Sequence, residues 1–556
     1  MARNHQQWLD AFRRGRSEME NHLIDGLVDG RIGRREFLRQ GSLLGLSLPL
    51  LGGIGAAAGL GVMPSPAAAQ GAPGATIRVA CYVPKAAIDP VKTGDGGGFL
   101  MLQQTGEFLC FDGPDLVLQP MLAESWSAND DATVWTFKLR KGVKFHSGGE
   151  MTADDVVASM DRLADPENGS NALSVFRGLL QKGGTRKVDD YTVAFHLDQP
   201  NGSFPYMVSS DNYNAIILPA AYDGNYESSF DGTGPFKLDS YRPRVGASFV
   251  RNEDYWGEKA LPARTEFTFF TDIQPQIIAL QSGEVDILNL LPQFASVGLQ
   301  NNPDVAFHSM RSSSHRQVHM RCDTGPFQDP RVRRAMALCL DRDQLVAGLL
   351  KGFGEPGNDS PIAPAYPTVD TSVPQRQKNI AEARALLEAA GHAGGVYTTL
   401  TTHQYLEMPA YAQLIQSWGR EAGFNIDLNV LDSAAYYGDA VFGKSNWLDS
   451  EFGITEYSHR GVPNVFLSAS LTSEGSWNAA HFRNADYDRA VKTYIETLDL
   501  EERKVAASRI QTLLLEETPI IFGYFTSYLQ ATRKSVTGAQ PTAMSQLFLS
   551  RAAKAA

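Results

Sequence analysis

The chain has 556 residues, more than one hydrophobic core can organise, which indicates three or more domains or lobes. Hydrophobic residues make up 43% of the sequence and charged residues 20%, values that are typical of a folded protein and exclude a disordered one. The formal net charge of -12 excludes a nucleic-acid groove, which needs clustered positive charge.

The N-terminal segment has the features of an export signal. The string RREFLR resembles the twin-arginine motif through Arg34 and Arg35. An uncharged run follows at residues 41–69; it is long enough for a transmembrane anchor, but its many glycines favour a signal that is removed. We expect residues 1–69 to be a twin-arginine signal peptide with an extended leader, cleaved after Ala69. The mature protein would be periplasmic, with no stable membrane anchor.

Cysteine usage is compatible with this compartment, because exported proteins meet an oxidising environment. Cys81, Cys110, Cys322 and Cys339 could form two disulfides, although the pairing cannot be read from the sequence. Cys81 falls in an apolar strand pattern and Cys339 on an apolar helix face, so buried thiols are the other interpretation. Both interpretations remain open.

The mature chain begins with a predicted strand at residues 76–83 and a helix-like apolar segment at 99–111. The glycine-rich loop between them, at 94–98, lacks the Lys-Ser/Thr pair of a phosphate-binding P-loop. We therefore do not expect it to bind phosphate.

Residues 122–163 give the strongest local prediction. Trp135 and Phe137 alternate with polar residues, as in a half-buried strand. A glycine-rich basic connector follows, and then Thr152 and Asp155 are placed to cap a new helix. The pattern predicts a strand, a turn and a capped helix.

This block resembles the signature of the family 5 extracellular solute-binding proteins, which serve ABC importers and bind peptides, nickel complexes, opines, glutathione or sugars. The resemblance lies in the strings LAESW, LRKGVKFHSG and TADDVVASMDR. Further strings follow in the family's order: GTGPF at 232–236, NEDYWG at 252–257, ALQSGEVD at 279–286 and FQDPRVRRA at 327–335. The resemblance covers roughly the whole chain after the signal.

The resemblance implies an α/β fold with the two lobes of a periplasmic binding protein and an extra α+β subdomain inserted in the first lobe. After residue 316, helices, glycines and strands alternate in the rhythm of α/β architecture. The predicted parts are lobe I at 70–115 and 230–315, the inserted subdomain at 116–229, lobe II at 316–518, and a lobe I return segment at 519–556 that opens with a crossing strand at 520–525.

No catalytic residue, metal or cofactor is predicted. The eleven histidines lack the His-Glu-x-x-His or paired His/Cys spacing of metal sites. The serines before His315 lack the Gly-x-Ser-x-Gly elbow of a nucleophile. We therefore predict a protein that is not an enzyme, with an exported hydrolase as the alternative from another class.

Binding residues are predicted in the second lobe, where aromatic rings and mixed charges occur together. Rings give contact area at low entropic cost, and a carboxylate near a guanidinium can pair both ends of a zwitterion. The candidates are Glu456, Arg460, Trp447, Tyr437, His403 and Tyr405. The resemblance adds Asp95 and Gly97, because the family's early loop faces the cleft and would let its backbone approach a ligand.

The resemblance also bears on Glu456. Peptide-binding relatives hold the peptide's amino group with an aspartate shortly before a Pro and a Phe, and Glu456, ahead of Pro463, is the nearest equivalent if a gap is allowed. A ligand role and an ordinary structural role both remain open. Dipeptide-binding relatives have Arg-Pro-Tyr where this sequence reads THQY at 402–405. The carboxylate clamp is therefore absent or supplied by Arg460 or His403, and a simple dipeptide is disfavoured.

These observations predict the periplasmic solute-binding component of an ABC importer. It would be a monomer without a nucleic-acid partner. It would capture a small polar ligand, such as an oligopeptide, an opine or a similar amine-bearing solute, between its lobes and deliver it to a membrane permease. The alternative among binding proteins is a subunit that delivers its ligand to a chemotaxis or sensor receptor.

Overall fold

The computed structural model describes residues 9, 12–13, 16–58, 74–113 and 116–555. The predicted cleavage position at Ala69 lies outside these residues. The described helices of nine or more residues are α1 (Glu18–Val28), α2 (Arg34–Leu43), α3 (Leu48–Ala57), α4 (Gly96–Thr105), α5 (Ala153–Ala164), α6 (Ile273–Ser282), α7 (Pro330–Leu338), α8 (Ile380–Ala389), α9 (Met408–Ala422), α10 (Ala485–Glu496) and α11 (Leu500–Glu517). Shorter α-helices span Leu173–Phe176, Phe204–Met207, Arg342–Gln344, Ser433–Tyr437, Asn446–Asp449 and Asn464–Ser468.

The strands are numbered in chain order. They are β1 (Thr76–Tyr82), β2 (Cys110–Asp112), β3 (Leu118–Pro120), β4 (Ala123–Ala128), β5 (Val134–Leu139), β6 (Thr185–Asp189), β7 (Thr192–His196), β8 (Phe236–Arg242), β9 (Gly246–Arg251), β10 (Arg264–Phe270), β11 (Ile287–Leu288), β12 (Val305–Met310), β13 (His315–Met320), β14 (Gly354–Pro356), β15 (Val396–His403), β16 (Phe424–Leu431), β17 (Phe452–Tyr457), β18 (Ile520–Thr526), β19 (Tyr528–Arg533), β20 (Val536–Thr537), β21 (Gln540–Pro541), β22 (Leu547–Phe548) and β23 (Ala553–Lys554).

The first lobe is organised by a seven-stranded sheet in the order β12-β19-β11-β1-β10-β9-β8. Strand β1 runs parallel to both of its neighbours, and its Ile77 and Val79 are fully buried in the core. A four-stranded antiparallel sheet, in the order β4-β5-β7-β6, forms the inserted subdomain. There Trp135 and Phe137 are buried, as the alternation predicts, and α5 begins with a capping box formed by Thr152 and Asp155.

The second lobe contains a six-stranded sheet in the order β14-β18-β13-β17-β15-β16. The chain passes between the two sheets at residues 311–314, between β12 and β13, and again at Ser527, between β18 and β19. The sequence predicts that strand β18 belongs to the return segment that starts at residue 519. The structure instead pairs β18 with β13 in the second sheet, so the return crossing comes after it. A local apolar pattern identifies a strand but not its pairing partner.

Three of the strings that carry the family resemblance meet at one buried carboxylate, Glu107. It accepts hydrogen bonds from Thr233 of GTGPF (2.8 Å) and from Tyr255 (2.6 Å) and Trp256 (2.8 Å) of NEDYWG. Arg140 of LRKGVKFHSG lies over the Trp256 ring at 4.6 Å. Burial raises the pKa of Glu107 to about 7, although these donors and the Arg140 charge oppose the rise. We call this set the Glu107 hub.

The described residues of the predicted leader pack against the body of the protein. Helices α1, α2 and α3 share a hydrophobic cluster that includes Ile24, Phe37, Leu51 and, from α11, Leu500. Among the described residues, no helix is both long enough and apolar enough to cross a membrane.

All four cysteines are free thiols, so the disulfides that the sequence left possible are not formed. Cys81 and Cys110 belong to the core of the first lobe, whereas Cys339 belongs to the core of the second. Burial raises the pKa of Cys322 to about 11 and that of Cys339 to about 12. These side chains act as small hydrophobic groups.

Candidate functional site

The strands of the second sheet bring most of the predicted binding residues to one edge. Strands β15 and β17 run parallel, with Leu400 opposite Phe452, so His403 and Glu456 reach the same carboxyl-terminal edge. His403 Nε2 lies 2.7 Å from Glu456 Oε2, and His403 Nδ1 lies 2.9 Å from Ser433 Oγ. The imidazole is therefore held between a carboxylate and a hydroxyl.

Aromatic rings surround this pair. Tyr436 and Tyr405 stack on the imidazole at centroid distances of 4.9 and 5.8 Å, and Tyr437 meets it at a steep angle at 5.3 Å. Trp447 meets Tyr437 edge-on at 5.4 Å. We call His403, Tyr405, Tyr437, Trp447 and Glu456 the aromatic cluster.

The Glu456 carboxylate is kept ionised although it is largely buried. Burial alone would raise its pKa, but hydrogen bonds from His403 and Tyr437 and the charge of Arg316 lower the pKa overall. Arg316 itself forms a buried ion pair with Glu407 at 2.8 Å. Because 21% of the Glu456 side chain is exposed, against 1% for His403, the carboxylate can accept a further donor from a ligand.

One member of the aromatic cluster, Tyr405, lies near the first lobe. Tyr82, the last residue of β1, has its pKa raised by burial and by the nearby Tyr405 of the second lobe. Tyr405 remains 39% exposed. The cluster therefore lies at the boundary between the lobes, where a solute could contact both.

Arg460, a further predicted binding residue, lies apart from this cluster. Its guanidinium lies over the Tyr213 ring of the inserted subdomain at 5.8 Å, and its carbonyl oxygen accepts a hydrogen bond from Tyr366 at 2.7 Å. The structure therefore does not pair Arg460 with Glu456 around one small zwitterion. A contact between Arg460 and a ligand stays a prediction.

Asp95 and Gly97 are explained by the local backbone. Asp95 Oδ1 accepts hydrogen bonds from the amides of Gly97 and Gly98, both at 3.1 Å, and so caps α4. A Cβ at Gly97 would lie 2.4 Å from the carbonyl oxygen of Tyr82. The glycine thus permits a close approach to the protein's own strand β1, and its contact with a ligand stays a prediction.

A second polar cluster, which no sequence pattern indicates, lies between the first lobe with its inserted subdomain and the second lobe. Asp112, Asp211 and His459 bring one polar side-chain atom each within 4.8 Å of the others. Asp211 Oδ1 accepts a hydrogen bond from the Gly461 amide at 2.6 Å, and His459 Nδ1 accepts one from the Ser313 amide at 3.0 Å. The three side chains come from separate stretches of the chain, so no local spacing could reveal them.

In this second cluster, the histidine is not available as a metal ligand. Burial raises the pKa of Asp211 to about 6 and that of Asp112 well above its usual value, and it lowers the pKa of His459 to about 3. His459 is therefore neutral. Because its Nδ1 lone pair is used by the Ser313 amide, Nε2 carries the hydrogen and offers no lone pair to a metal.

Known proteins are similar to this chain over most of its length. The family described as "Bacterial extracellular solute-binding proteins, family 5 Middle" matches residues 117–470. The glutathione-binding protein GsiB of Escherichia coli is 26% identical over 440 residues, which cover 76% of this chain and 84% of GsiB.

Solved structures agree with this match at the level of the fold. HbpA2 from Haemophilus parasuis has a TM-score of 0.76 at 22% identity and covers 86% of this chain and 100% of its own. The periplasmic binding protein DppA from Helicobacter pylori, in complex with the peptide STSA, has a TM-score of 0.72 at 20% identity and covers 87% and 99%. The predicted two-lobed α/β fold is thereby confirmed. The protein belongs to the family 5 bacterial extracellular solute-binding proteins.

Proposed function

We propose that the aromatic cluster binds the amine-bearing part of a small polar solute and that Glu456 is its anchor. The observation that carries this proposal is an ionised, partly exposed carboxylate at the carboxyl-terminal edge of parallel strands, where α/β folds bind their ligands. The names of two similar proteins support the ligand class. GsiB is a glutathione-binding protein and DppA was solved with a peptide, and both of these ligands carry an amine.

Transport then requires closure and release rather than chemistry. The two lobes are joined by the crossing segments at 311–314 and Ser527. The first segment is bonded to the end of β18, where the second begins, because the Thr526 amide donates to the Ser314 carbonyl at 2.8 Å. A solute that contacts both lobes favours the closed arrangement by its differential affinity, and the permease recognises that arrangement.

Export precedes binding in this proposal. Residues 1–69 would direct the folded protein through the twin-arginine route by Arg34 and Arg35, at the start of α2, and would then be removed. N-terminal sequencing of the protein recovered from the periplasm tests this step. A chain that begins at Gln70 is expected, whereas an intact leader on the exported protein would contradict the proposal.

A thermal-shift screen of the exported protein tests the ligand class, with peptides, glutathione, opines, sugars and nickel chelates as probes. We expect an amine-bearing solute to raise the unfolding midpoint and Glu456→Gln to weaken its binding by about 10–100-fold, since the charge that pairs with the ammonium group is lost. Glu388→Gln, at an exposed position of α8, is the matched control and should leave the affinity unchanged. Unchanged affinity in Glu456→Gln would remove that residue from the site.

An exported hydrolase is the second candidate function, because Ser433, His403 and Glu456 are linked in series. The Ser433 side chain belongs to an exposed residue and lies 2.9 Å from the imidazole that bonds to Glu456. Mass spectrometry of solutes incubated with the protein separates the two functions. A binding protein returns its solute unaltered, whereas hydrolysis that stops in Ser433→Ala would favour the enzyme.

A further inference from the structure

Arg39 of the leader helix α2 occupies the boundary between the lobes. Its Nε donates to the hydroxyl of Tyr206 in the inserted subdomain at 3.2 Å, and its Nη2 donates to the carbonyl oxygen of Gly461 in the second lobe. The guanidinium carbon lies 5.6 Å from the ring centroids of both Tyr206 and Tyr366. One leader side chain, only 5% exposed, thus bridges both parts of the body.

Asp112 and Asp211 of the second polar cluster lie close enough to Arg39 to interact with its charge. The Arg39 charge acts on both Asp112 and Asp211, where it opposes the rise in pKa that burial causes. Burial would lower the pKa of Arg39, but Tyr206 and Asp112 raise it above its usual value, so the guanidinium stays charged. Asp112 is 6% exposed, and its Oδ1 has no hydrogen-bond partner among the described residues. The surroundings therefore favour a cation and leave one acceptor unused.

The end of α2 is also fitted to the inserted subdomain. Trp126 Nε1 donates to the Leu43 carbonyl at 3.0 Å, and the Leu118 amide donates to Ser42 Oγ at 3.0 Å. A Cβ at Gly45 would lie 2.1 Å from the Trp126 carbonyl oxygen, so the leader backbone approaches the body closely. The position of Arg39 thus follows from a docked helix rather than from one flexible side chain.

We propose that Arg39 is an intramolecular ligand of the cleft. Its guanidinium fills a cation pocket formed by Tyr206, Tyr366, Asp112 and Asp211, holds the lobes together in the precursor and excludes external solutes. Once the leader is removed, the pocket takes the guanidinium or amine group of a solute. This inference rests on the proposed function, because it requires a leader that leaves and a solute that enters the cleft.

Chemical rescue of the full chain tests the inference, with ethylguanidinium chloride as the probe. Arg39→Ala empties the pocket, so the probe should raise the unfolding midpoint of this variant by about 2–4 °C and leave that of the unaltered chain unchanged. Ethylurea, a neutral compound of similar shape, should have no effect. Arg31→Ala is the matched control, since Arg31 is a leader arginine with a side chain 43% exposed and its loss leaves the pocket filled.

Asp112→Asn in the Arg39→Ala chain should abolish the shift. A shift that survives this change, that ethylurea reproduces, or that is equal in Arg31→Ala would overturn the inference. Should Arg39→Ala fail to fold, Arg39→Met keeps an apolar stem without the charge and replaces it.

The screen for a solute separates this inference from the proposed function. If the full chain binds the identified solute as tightly as the Arg39→Ala chain does, Arg39 does not exclude the solute. This result contradicts the inference and leaves the proposed function intact. If Arg39→Ala binds ethylguanidinium while the exported protein binds no solute, the result supports the cation pocket and contradicts the proposed function.

Discussion

Glu107 in the first lobe and Glu456 in the second are both carboxylates in largely buried surroundings, yet their pKa values move in opposite directions. Glu107 accepts hydrogen bonds mainly from neutral donors, and burial raises its pKa to about 7. Glu456 has His403 and the Arg316 charge beside it, and its pKa is lowered despite burial. Burial of a carboxylate therefore does not by itself identify a binding site. A carboxylate closed off by neutral donors organises structure, whereas one kept ionised and partly open can bind a ligand.

A substitution at Gly232, next to Thr233, is expected to have the largest effect on the packing of the Glu107 hub. A Cβ at Gly232 would lie 2.0 Å from the carbonyl oxygen of Thr105, which is backbone and cannot move aside. We expect Gly232→Ala to lower the free energy of unfolding by about 3–5 kcal/mol in denaturant titrations. Gly149→Ala, whose Cβ would have no atom within 4 Å, is the control and should cost less than about 0.5 kcal/mol. Similar small losses in both variants would contradict a packing role for the GTGPF string.

Glu107 itself predicts a dependence of stability on pH. Because folding raises its pKa from 4.5 to about 7, its stabilising contribution is fully present below pH 4.5 and is lost as the pH rises through about 7. Relative to Glu107→Gln, which cannot ionise, the unaltered protein should lose about 3 kcal/mol of unfolding free energy between pH 4.5 and pH 8.

Denaturant titrations of the two proteins at both pH values check this expectation. Glu253→Gln is the control, since the Glu253 side chain is 57% exposed and pairs with Arg251 on the surface. Parallel pH profiles for Glu107→Gln and the unaltered protein would show that folding does not change the pKa of Glu107.

The fold could be predicted where the pattern is local. Strand β5 and helix α5 followed from alternation and from the cap at Thr152, both of which lie within a few residues of the elements they define. The pairing of β18 could not be predicted, and neither could the need for glycine at position 232, because the atom that requires it belongs to Thr105. Contacts between distant stretches leave no periodic trace in the sequence.

Only part of the candidate site could be predicted, because residue types are visible in the sequence and contacts between distant residues are not. The residue types of the aromatic cluster suggested binding, but their meeting at one edge depends on the parallel pairing of β15 and β17. No sequence spacing distinguishes His459 from the other histidines, and Arg39 lies within the predicted leader. Both residues lie near Asp112 and Asp211, which are far from them in the sequence, so no local pattern predicts that they meet.

A substitution of His403 is expected to have the smallest effect. It keeps the Glu456 side chain in place and changes only how readily its carboxyl group ionises. His403→Asn removes one of the hydrogen bonds that lower the pKa of Glu456 and leaves the bond from Tyr437 and the charge of Arg316. This pKa should therefore rise part of the way toward the value that burial favours. We expect the affinity for an amine-bearing solute to fall by about three- to tenfold at pH 7, and further at pH 5, where more of the carboxyl is protonated.

Calorimetric titrations at the two pH values measure this difference. His392→Asn is the matched control, because His392 lies just before β15 begins, at the opposite edge of the second sheet from the aromatic cluster. If His403→Asn lowered the affinity equally at both pH values, the imidazole would act by shape or direct contact. The hydrogen bond from His403 would then have no effect on the charge of Glu456. The proposed difference in ionisation between Glu456 and Glu107 would lose its support.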